Sequence, residues 1–168
     1  MYTIGHSTRP IETFIALLKA HDIQTVIDIR TIPKSRHNPQ YNQTRLKNSL
    51  ACAGIGYRHL KDLGGLRHTT KDSVNTSWIH ASFRGFADYM QTEEFETGLK
   101  KLEKLAQKKR CALLCSEAVP WRCHRSLVAD ALTVKKWKVF HIQSRKTAKL
   151  HELTPFLRIR RKKLIYDQ

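Results

Sequence analysis

Short apolar segments alternate with helix-like stretches along most of this chain, and this alternation limits the possible fold more than any other feature. The apolar segments have the length and composition of strands and cover residues 2–5, 25–30, 57–60, 111–115 and 138–142. Amphipathic helical spacing marks the stretches between them, residues 10–20, 43–53, 82–91, 93–110 and 124–136. Strands that alternate with helices form βαβ units. The sequence therefore predicts an α/β fold, a single three-layer domain with a mostly parallel sheet flanked by helices.

Two further stretches complete the predicted organisation. Residues 66–80 show no periodicity and predict a long surface loop. We expect an α/β domain with a strand-end site over residues 1–145, followed by a basic C-terminal tail over residues 146–168. A chain of 168 residues is long enough for one compact core and short for two.

Cysteine usage and the lack of long apolar runs indicate the compartment. No run approaches the roughly 18 apolar residues of a membrane span, and the first residues lack the basic and apolar regions of a secretory leader. The four cysteines do not have the spacing of a small disulfide scaffold. We therefore predict a cytoplasmic protein with reduced thiols and no membrane partner.

The charge balance indicates which partners the protein attracts. Thirty-one Lys and Arg residues against fourteen Asp and Glu residues leave a net charge of +17. Such a chain attracts polyanions, so nucleic acid or a phosphorylated small molecule is a predicted partner. No aromatic RNA-binding motif and no zinc-finger spacing accompanies the charge. The alternative is a basic protein without any specific polyanion partner.

Polar groups cluster at the ends of the first four predicted strands, with Arg58, His59, Gly64 and Gly65 near the third. In an open parallel sheet, ligands bind beyond the carboxyl ends of the strands, where these loops converge. We therefore predict one shared site at this edge. Its expected members are His6, Ser7, Asp28, Arg30, Ser35, Glu117, Cys123, His124 and Arg125.

The residue types suggest two roles within this site. Imidazoles and carboxylates exchange protons in catalysis, so the predicted catalytic residues are His6, Asp28, Glu117 and His124. Guanidinium groups, hydroxyls and helix N-termini bind anions, so the predicted substrate- or anion-binding residues are Ser7, Arg30, Ser35, Cys123 and Arg125. A buried Asp28 carboxylate requires either a charged partner or a catalytic function. The alternative to a catalytic Asp28 is a purely structural ion pair with Arg30 or Arg125.

The segment LLCSEAVPWRCHRS, residues 113–126, allows several chemistries. It contains no CxxC pair and no second ligand pair with zinc-finger spacing, so we predict no metal ligands. A thiol-phosphatase loop places Arg after five intervening residues, whereas six residues separate Cys115 from Arg122. Sulfur transfer through Cys115 or Cys123 stays open, because VIDIR followed later by LLC and CHRS resembles a rhodanese-like pattern. A thiolate at a helix N-terminus beside arginines would be stabilised.

Four motifs together resemble the uncharacterised "domain of unknown function 488" family. They are TIGHS, VIDIR with a following Pro and Ser, GIGYRHLKDLGG and LLCSEAVPWRCHRSLVADAL, which span roughly residues 2–142. The resemblance implies a cytosolic α/β protein and supports the grouping of His6, Asp28, Arg30, Glu117, Cys123, His124 and Arg125. It implies no particular reaction, and the basic C-terminal end lies beyond it.

These observations lead to one favoured function and two alternatives. We expect an enzyme that acts on a phosphorylated, nucleotide or nucleic-acid substrate through the strand-end site. The alternatives are a non-catalytic nucleic-acid-binding protein and a rhodanese-like sulfurtransferase. The sequence assigns no cofactor and no oligomeric state.

Overall fold

A computed structural model of the protein describes residues 1–161 and 163–167. Up to residue 142 the helices and strands lie close to their predicted positions, whereas three further strands fall in the segment predicted as a basic tail. In chain order they are β1 (Tyr2–Gly5), α1 (Ile11–Ala20), β2 (Thr25–Asp28), α2 (Gln43–Cys52), β3 (Gly56–His59), α3 (Ala81–Tyr89), α4 (Glu93–Lys108), β4 (Cys111–Cys115), α5 (Arg125–Val134), β5 (Phe140–Ile142), β6 (Ala148–Leu150), β7 (Leu157–Arg160) and β8 (Lys163–Tyr166). Within this described part of the chain, none of the helices combines the length and the apolar character needed to cross a membrane.

Six strands form the main sheet, in the order β3-β2-β4-β1-β5-β6. The first five are parallel, and β6 pairs antiparallel with β5 at one edge. The predicted mostly parallel sheet is therefore confirmed. The register places Gly5 opposite Cys115 and Asp28 opposite Leu114, so the carboxyl ends of β1, β2 and β4 meet at one edge.

Helices cover both faces of this sheet, which confirms the three-layer α/β architecture. Neighbouring strand residues point to opposite faces: Val26 packs into one apolar cluster and Ile27 into the other. One cluster contains residues of α1 and α2, including Phe14, Leu18, Leu46 and Leu50. The other contains residues of α3, α4 and α5, including Phe86, Leu99, Leu127 and Leu132. Both strand faces are buried, as the continuous apolar strand sequences predict.

The chain order creates a crevice between β2 and β4. The connection that leaves β2 runs through α2 to β3 at the edge of the sheet, whereas the connection that leaves β4 runs through α5 to β5 in the opposite direction. Adjacent parallel strands whose connections diverge in this way form the usual ligand-binding crevice of open α/β sheets. The fold therefore places the predicted strand-end residues at such a point.

Residues 66–80 contain no helix or strand, as predicted. This loop is nevertheless anchored, because the Asp88 carboxylate on α3 accepts hydrogen bonds from its polar residues. The donors are Thr69, Thr70, Ser73 and Asn75. The anchored loop supplies part of the wall at the strand ends, through Leu66.

The segment predicted as a basic tail, residues 146–168, packs against the domain over its described residues. Its first strand, β6, extends the main sheet, and β7 and β8 form a separate antiparallel hairpin. Tyr166 is fully buried and donates a hydrogen bond to Asp130 at 3.0 Å. Within the basic run, Arg158 and Arg160 are exposed on β7. Lys162 and Gln168 lie outside the described residues.

A buried chain of hydrogen bonds connects this C-terminal segment with the sheet. Asp130 on α5 accepts from Nε2 of His151 at 2.9 Å, so Nδ1 of His151 accepts from Nε2 of His141, also at 2.9 Å. Nδ1 of His141 then accepts from the Thr3 hydroxyl at 2.7 Å. Burial, the neighbouring His151 and the positive charges of Arg125 and Lys149 lower the pKa of His141 to about 3. His141 is therefore neutral in the folded protein at neutral pH.

The lowered pKa of His141 predicts acid-sensitive stability. The unfolded chain binds a proton at His141 near pH 6.5, whereas the folded protein resists it until about pH 3. The contribution of neutral His141 to the free energy of unfolding is thus complete above about pH 6.5. It decreases as the pH falls, by up to about 1.4 kcal/mol per pH unit. We expect urea unfolding between pH 6.5 and 4 to show this loss in the wild type, and His141→Gln to show a flatter profile.

His37 offers a matched control, because it is exposed. His37→Gln makes the same chemical change at a surface position and should leave the wild-type pH profile unaltered. Parallel profiles for the wild type and His141→Gln would contradict the assignment.

Candidate functional site

A cavity of about 450 Å³ opens at the carboxyl ends of β1, β2 and β4. Polar side chains that follow these strands form much of its wall. The cationic and imidazole members are Arg30, Lys34, Arg122, His6 and His124, and the thiol and carboxylate members are Cys115, Cys123 and Glu117. Apolar wall residues are Ile32, Leu66 and Phe83. Convergence of the predicted residues on one edge is thus observed for His6, Arg30, Ser35, Glu117, Cys123 and His124.

A buried ion pair fixes Arg30 in this wall. The carboxylate of Asp28 accepts from Nε of Arg30 at 2.9 Å and from Nη2 at 2.6 Å. Asp28 also accepts from the Tyr57 hydroxyl at 2.7 Å, and Nη2 donates to the Tyr41 carbonyl at 2.9 Å. Burial alone would lower the pKa of Arg30, but the hydrogen-bonded, negatively charged Asp28 outweighs this effect and raises it. Asp28 is fully buried and does not line the cavity, so its contact is with Arg30 and Tyr57.

His6 lies beside this pair with its tautomer determined by hydrogen bonds. Nδ1 of His6 donates to the Ser7 carbonyl at 2.7 Å, so Nε2 carries the lone pair. Nη1 of Arg30 approaches Nε2 at 3.4 Å. The ring stacks on Tyr41, with centroids 4.1 Å apart. Burial lowers the pKa of His6, and the positive Arg30 acts in the same direction. His6 is therefore neutral at physiological pH.

Two thiols and one imidazole form a cluster on the cavity wall. The sulfur of Cys115 lies 3.8 Å from Nδ1 of His124, and the sulfur of Cys123 lies 3.7 Å from the same atom. All three atoms lie within 4.8 Å of one another. Both cysteines are buried, with 6% and 4% exposure. They are free thiols rather than a disulfide.

The ring of His124 is oriented by its other nitrogen and by its neighbours. Nε2 is 3.1 Å from the carbonyl of Ile29, which can only accept a hydrogen bond, so Nε2 carries a proton. In the neutral ring, Nδ1 therefore presents its lone pair to both sulfurs. Gly65 lies against this ring, because a side chain there would collide with the imidazole. Phe86 on α3 packs edge-on to the ring from within the same helix layer.

The two thiols influence each other's ionisation. Hydrogen bonding to Cys123, together with His124 and the positive Arg125, lowers the pKa of Cys115. Burial and the neighbouring Cys115 raise the pKa of Cys123. The pair therefore loses its first proton readily and holds its second, as expected for two acids that share one small volume.

Arg125 has a structural position rather than a place in the cavity wall. Its guanidinium is 1% exposed and donates to the carbonyls of Glu117 at 2.5 Å and Ala118 at 2.8 Å. These bonds determine the path of the loop that joins β4 to α5. Burial lowers the pKa of Arg125. Gly5 is required beneath this loop, because a Cβ there would overlap the Glu117 carbonyl and the Arg125 guanidinium.

The remaining predicted residues divide between the wall and its support. Glu117 is exposed and lines the cavity. Ser35 also lines it, but its amide donates to Asn42 and its hydroxyl accepts from Asn38. Ser7 has a positive φ of 49° and donates its amide to the Ser116 carbonyl at 2.8 Å. Ser7 thus joins β1 to the loop after β4 without lining the cavity.

The sequence analysis names Cys115 only for the alternative of sulfur transfer and leaves it out of the predicted shared site, although this residue lines the cavity and contacts His124. A signal was present, because Cys115 is the last residue of a buried strand whose end points to the shared edge. Arg122 was also omitted as a site residue. It lies in a short helical turn, Pro120–Arg122, which the sequence pattern does not reveal.

Comparison with known proteins identifies one family. The family model described as "Domain of unknown function DUF488" matches residues 10–132, which include β2, β4 and the Cys115–Cys123–His124 cluster. His6 and Ser7 precede the matched region. No curated protein and no solved structure matches this chain.

The ion pair beneath the cavity predicts a large stability loss on Asp28→Asn. This change leaves the buried guanidinium of Arg30 without a counter-charge, which typically costs about 3–5 kcal/mol. Asp62→Asn is the matched control, because it removes the same charge from a pair with Lys101 in which both side chains are about half exposed. We expect the control to lose less than about 1 kcal/mol. Urea unfolding measures both free energies, and equal losses would contradict a structural role for Asp28.

Proposed function

This chain belongs to the family described as domain of unknown function DUF488, and we propose that it is an enzyme that binds a small phosphorylated molecule in the strand-end cavity. One observation carries the proposal: three cationic side chains line this cavity at the divergence of the β2 and β4 connections. They are Arg30, Lys34 and Arg122, against the single carboxylate of Glu117 among the described lining residues. The position within an open α/β sheet is where such folds bind their ligands.

Arg30 supplies the most rigid anion contact. Its Nε and Nη2 are held by Asp28 and by the Tyr41 carbonyl, while the side chain lines the cavity. A guanidinium held in this way loses little conformational entropy when a ligand binds. Lys34 and Arg122 are exposed, so they can move toward a phosphate once it has entered. The net charge of +17 further favours the approach of anions.

Apolar residues at the same cavity favour a ligand with a nonpolar portion. Ile32 is 61% exposed and Leu66 is 68% exposed, and both line this cavity, so they present apolar surface to a ligand within it. Phe83 adds an aromatic surface to the same wall. The volume of about 450 Å³ lies within the usual range for small-molecule sites. A nucleotide-sized molecule satisfies both the charged and the apolar parts of the wall.

Glu117 and the Cys115–Cys123–His124 cluster supply the chemical groups. The Glu117 carboxylate can take up or release a proton within the cavity. Asp28, buried beneath the wall, is assigned a positioning role through Arg30 rather than a catalytic one. His6 presents its lone pair toward Arg30, so we assign it to the same positioning network.

Charge removal at the cavity should weaken phosphate binding. We expect the double substitution Lys34→Gln and Arg122→Gln to reduce the affinity for a nucleoside monophosphate by at least about tenfold, a loss of about 1.4 kcal/mol. The reason is the loss of two charge-assisted contacts to the phosphate. Isothermal titration calorimetry with adenosine monophosphate, ribose 5-phosphate and uncharged adenosine measures the effect.

A matched variant separates this local effect from general electrostatics. Lys47→Gln and Arg145→Gln remove the same two charges from exposed positions outside the cavity lining, and this double variant should retain wild-type affinity. Equal weakening in both double variants, or equal binding of adenosine and its monophosphate, would contradict the proposed site.

The two thiols in the same cavity favour a second candidate, sulfur transfer through Cys115. In this reaction the Cys115 thiolate attacks the outer sulfur of thiosulfate, the S–S bond of the donor breaks, and sulfite leaves with its electron pair. The product is a persulfide on Cys115. Incubation with thiosulfate followed by intact-protein mass spectrometry should then show one added sulfur atom that is absent in Cys115→Ser. Sulfite release at the level of a protein-free control would contradict this candidate.

Nucleic-acid binding through the basic residues near the C-terminus remains a prediction from charge. The described members of the run lie on the β7–β8 hairpin. The exposed guanidinium of Arg158 supports nucleic-acid binding. Arg160 is also exposed, but its charge is paired with Asp167 at 2.8 Å.

A further inference from the structure

We infer that Cys115, Cys123 and His124 bind a zinc-type divalent metal ion whose fourth coordination position faces the strand-end cavity. The ligands are the two cysteine sulfurs, as thiolates, and Nδ1 of His124. Binding replaces two thiol protons, which leave to solvent, so the charge of the ion is balanced by its two thiolates. The ion site itself does not depend on the proposed substrate, whereas a phosphate oxygen as fourth ligand rests on the proposed function.

The distances among the three ligand atoms support this site. Zinc–sulfur bonds of about 2.3 Å and zinc–nitrogen bonds of about 2.0–2.1 Å, at tetrahedral angles, place sulfur and nitrogen about 3.6 Å apart. The observed separations from Nδ1 are 3.8 Å to Cys115 and 3.7 Å to Cys123. A shift of a few tenths of an ångström therefore brings each sulfur–nitrogen pair to coordination geometry. The mutual separation of all three atoms, at most 4.8 Å, is compatible with one shared ion.

The orientation of His124 also fits metal binding. Its Nε2 donates to the Ile29 carbonyl at 3.1 Å, which leaves the Nδ1 lone pair directed at the two sulfurs. Ligating histidines usually donate their second nitrogen in this way, and the bond holds the ring in place. The close approach of Gly65 to the ring restricts it further. The imidazole is thus preorganised before an ion enters.

Three protein ligands, rather than four, characterise this cluster. Among residues 1–161 and 163–167, no further histidine, cysteine or carboxylate joins the group. Structural zinc sites are usually closed by four protein ligands, whereas catalytic sites use three and leave one position for water or substrate. All three residues line the cavity, which gives the fourth position access to a ligand.

The donor types identify the class of ion. Two thiolates and one imidazole favour zinc or a similar borderline-soft cation over magnesium or calcium, which prefer oxygen ligands. The thiolates balance the ion itself, so they do not neutralise Lys34 and Arg122, whereas Arg30 is already paired with Asp28. The cavity therefore keeps its positive character for an anion that also contacts the metal.

Chain spacing alone did not predict this site, because seven residues separate Cys115 from Cys123. The intervening loop turns back at the strand end, and Arg125 holds it there through the Glu117 and Ala118 carbonyls. This turn brings both sulfurs to one imidazole. The pair of ligands therefore arises from a strand end and a helix start rather than from a CxxC knuckle.

Cobalt substitution tests the ion site directly. The full-length chain is purified under reducing, anaerobic conditions, treated with a chelator, and reconstituted with Co²⁺ or Zn²⁺. We expect one ion per chain by plasma mass spectrometry, with thiolate-to-cobalt charge-transfer bands in the near ultraviolet and tetrahedral bands in the visible. A wild-type protein without charge-transfer bands, or without stoichiometric zinc, overturns the proposal.

Single substitutions identify the ligands. Cys115→Ser, Cys123→Ser and His124→Gln should each lose stoichiometric binding, with altered or absent cobalt bands. Cys52→Ser is the matched control, because Cys52 is an exposed thiol at the end of α2, and it should bind one ion as the wild type does. Circular dichroism confirms that each variant is folded. Wild-type stoichiometry and spectra in both Cys115→Ser and Cys123→Ser would overturn the ligand assignment even if another variant failed to fold.

Inorganic phosphate and adenosine monophosphate then test the open position. Either anion should shift the visible cobalt bands if a phosphate oxygen replaces the fourth ligand. If calorimetry shows binding while the bands stay unchanged, the open position is overturned and the anion site stands. If the cobalt bands form but neither anion binds, the proposed function fails and the ion site stands.

Discussion

The buried pair of Asp28 and Arg30 is the interaction around which the cavity is arranged. The carboxylate lies at the end of β2 with no exposure, and it holds a guanidinium that also contacts Tyr41 and His6. Because an isolated buried charge is strongly unfavourable, each partner requires the other. The pair therefore connects β2, the following loop and β1 in one polar network. Charge pairing and hydrogen bonds thus hold this side of the cavity wall, together with the stacking of His6 on the buried Tyr41.

A second buried cation organises the opposite side of the cavity. Arg125, at the start of α5, donates to two carbonyls of the loop after β4. It thereby directs that loop back over the strand end, beside Cys115. Burial of a guanidinium is costly, and the neighbouring thiols offer the negative charge that offsets it. Thiolates at this position, whether free or bound to an ion, thus complement Arg125 as well as His124. The two arginines differ in position: Arg30 lines the cavity, and Arg125 holds the loop.

Much of the fold follows from local pattern. Short apolar strands and amphipathic helices alternate, and both faces of the sheet are covered because the strands are apolar throughout. The convergence of His6, Arg30, Glu117 and His124 also follows, since the carboxyl ends of parallel strands meet at one edge. For Asp28 the sequence offers an ion pair with Arg30 only as an alternative to catalysis, and it assigns Arg125 to anion binding. The choice between such roles does not follow from the sequence, because side-chain orientation and burial depend on neighbours from distant segments. The structure of the C-terminal segment is another example: its basic composition does not reveal that Tyr166 packs under α3 and contacts Asp130.

The sequence by itself determined the class of fold, the edge of the sheet at which the polar residues converge, and the basic charge of the chain. These properties depend on the periodicity of short segments, on strand direction and on composition, which is a sum over individual residues. Only the tertiary structure decided which atoms meet there: two sulfurs at 3.7–3.8 Å from one imidazole nitrogen, and one arginine at the wall with another beneath it. Such contacts join β4, the loop after it and α5. Their geometry depends on buried hydrogen bonds that no spacing along the chain encodes.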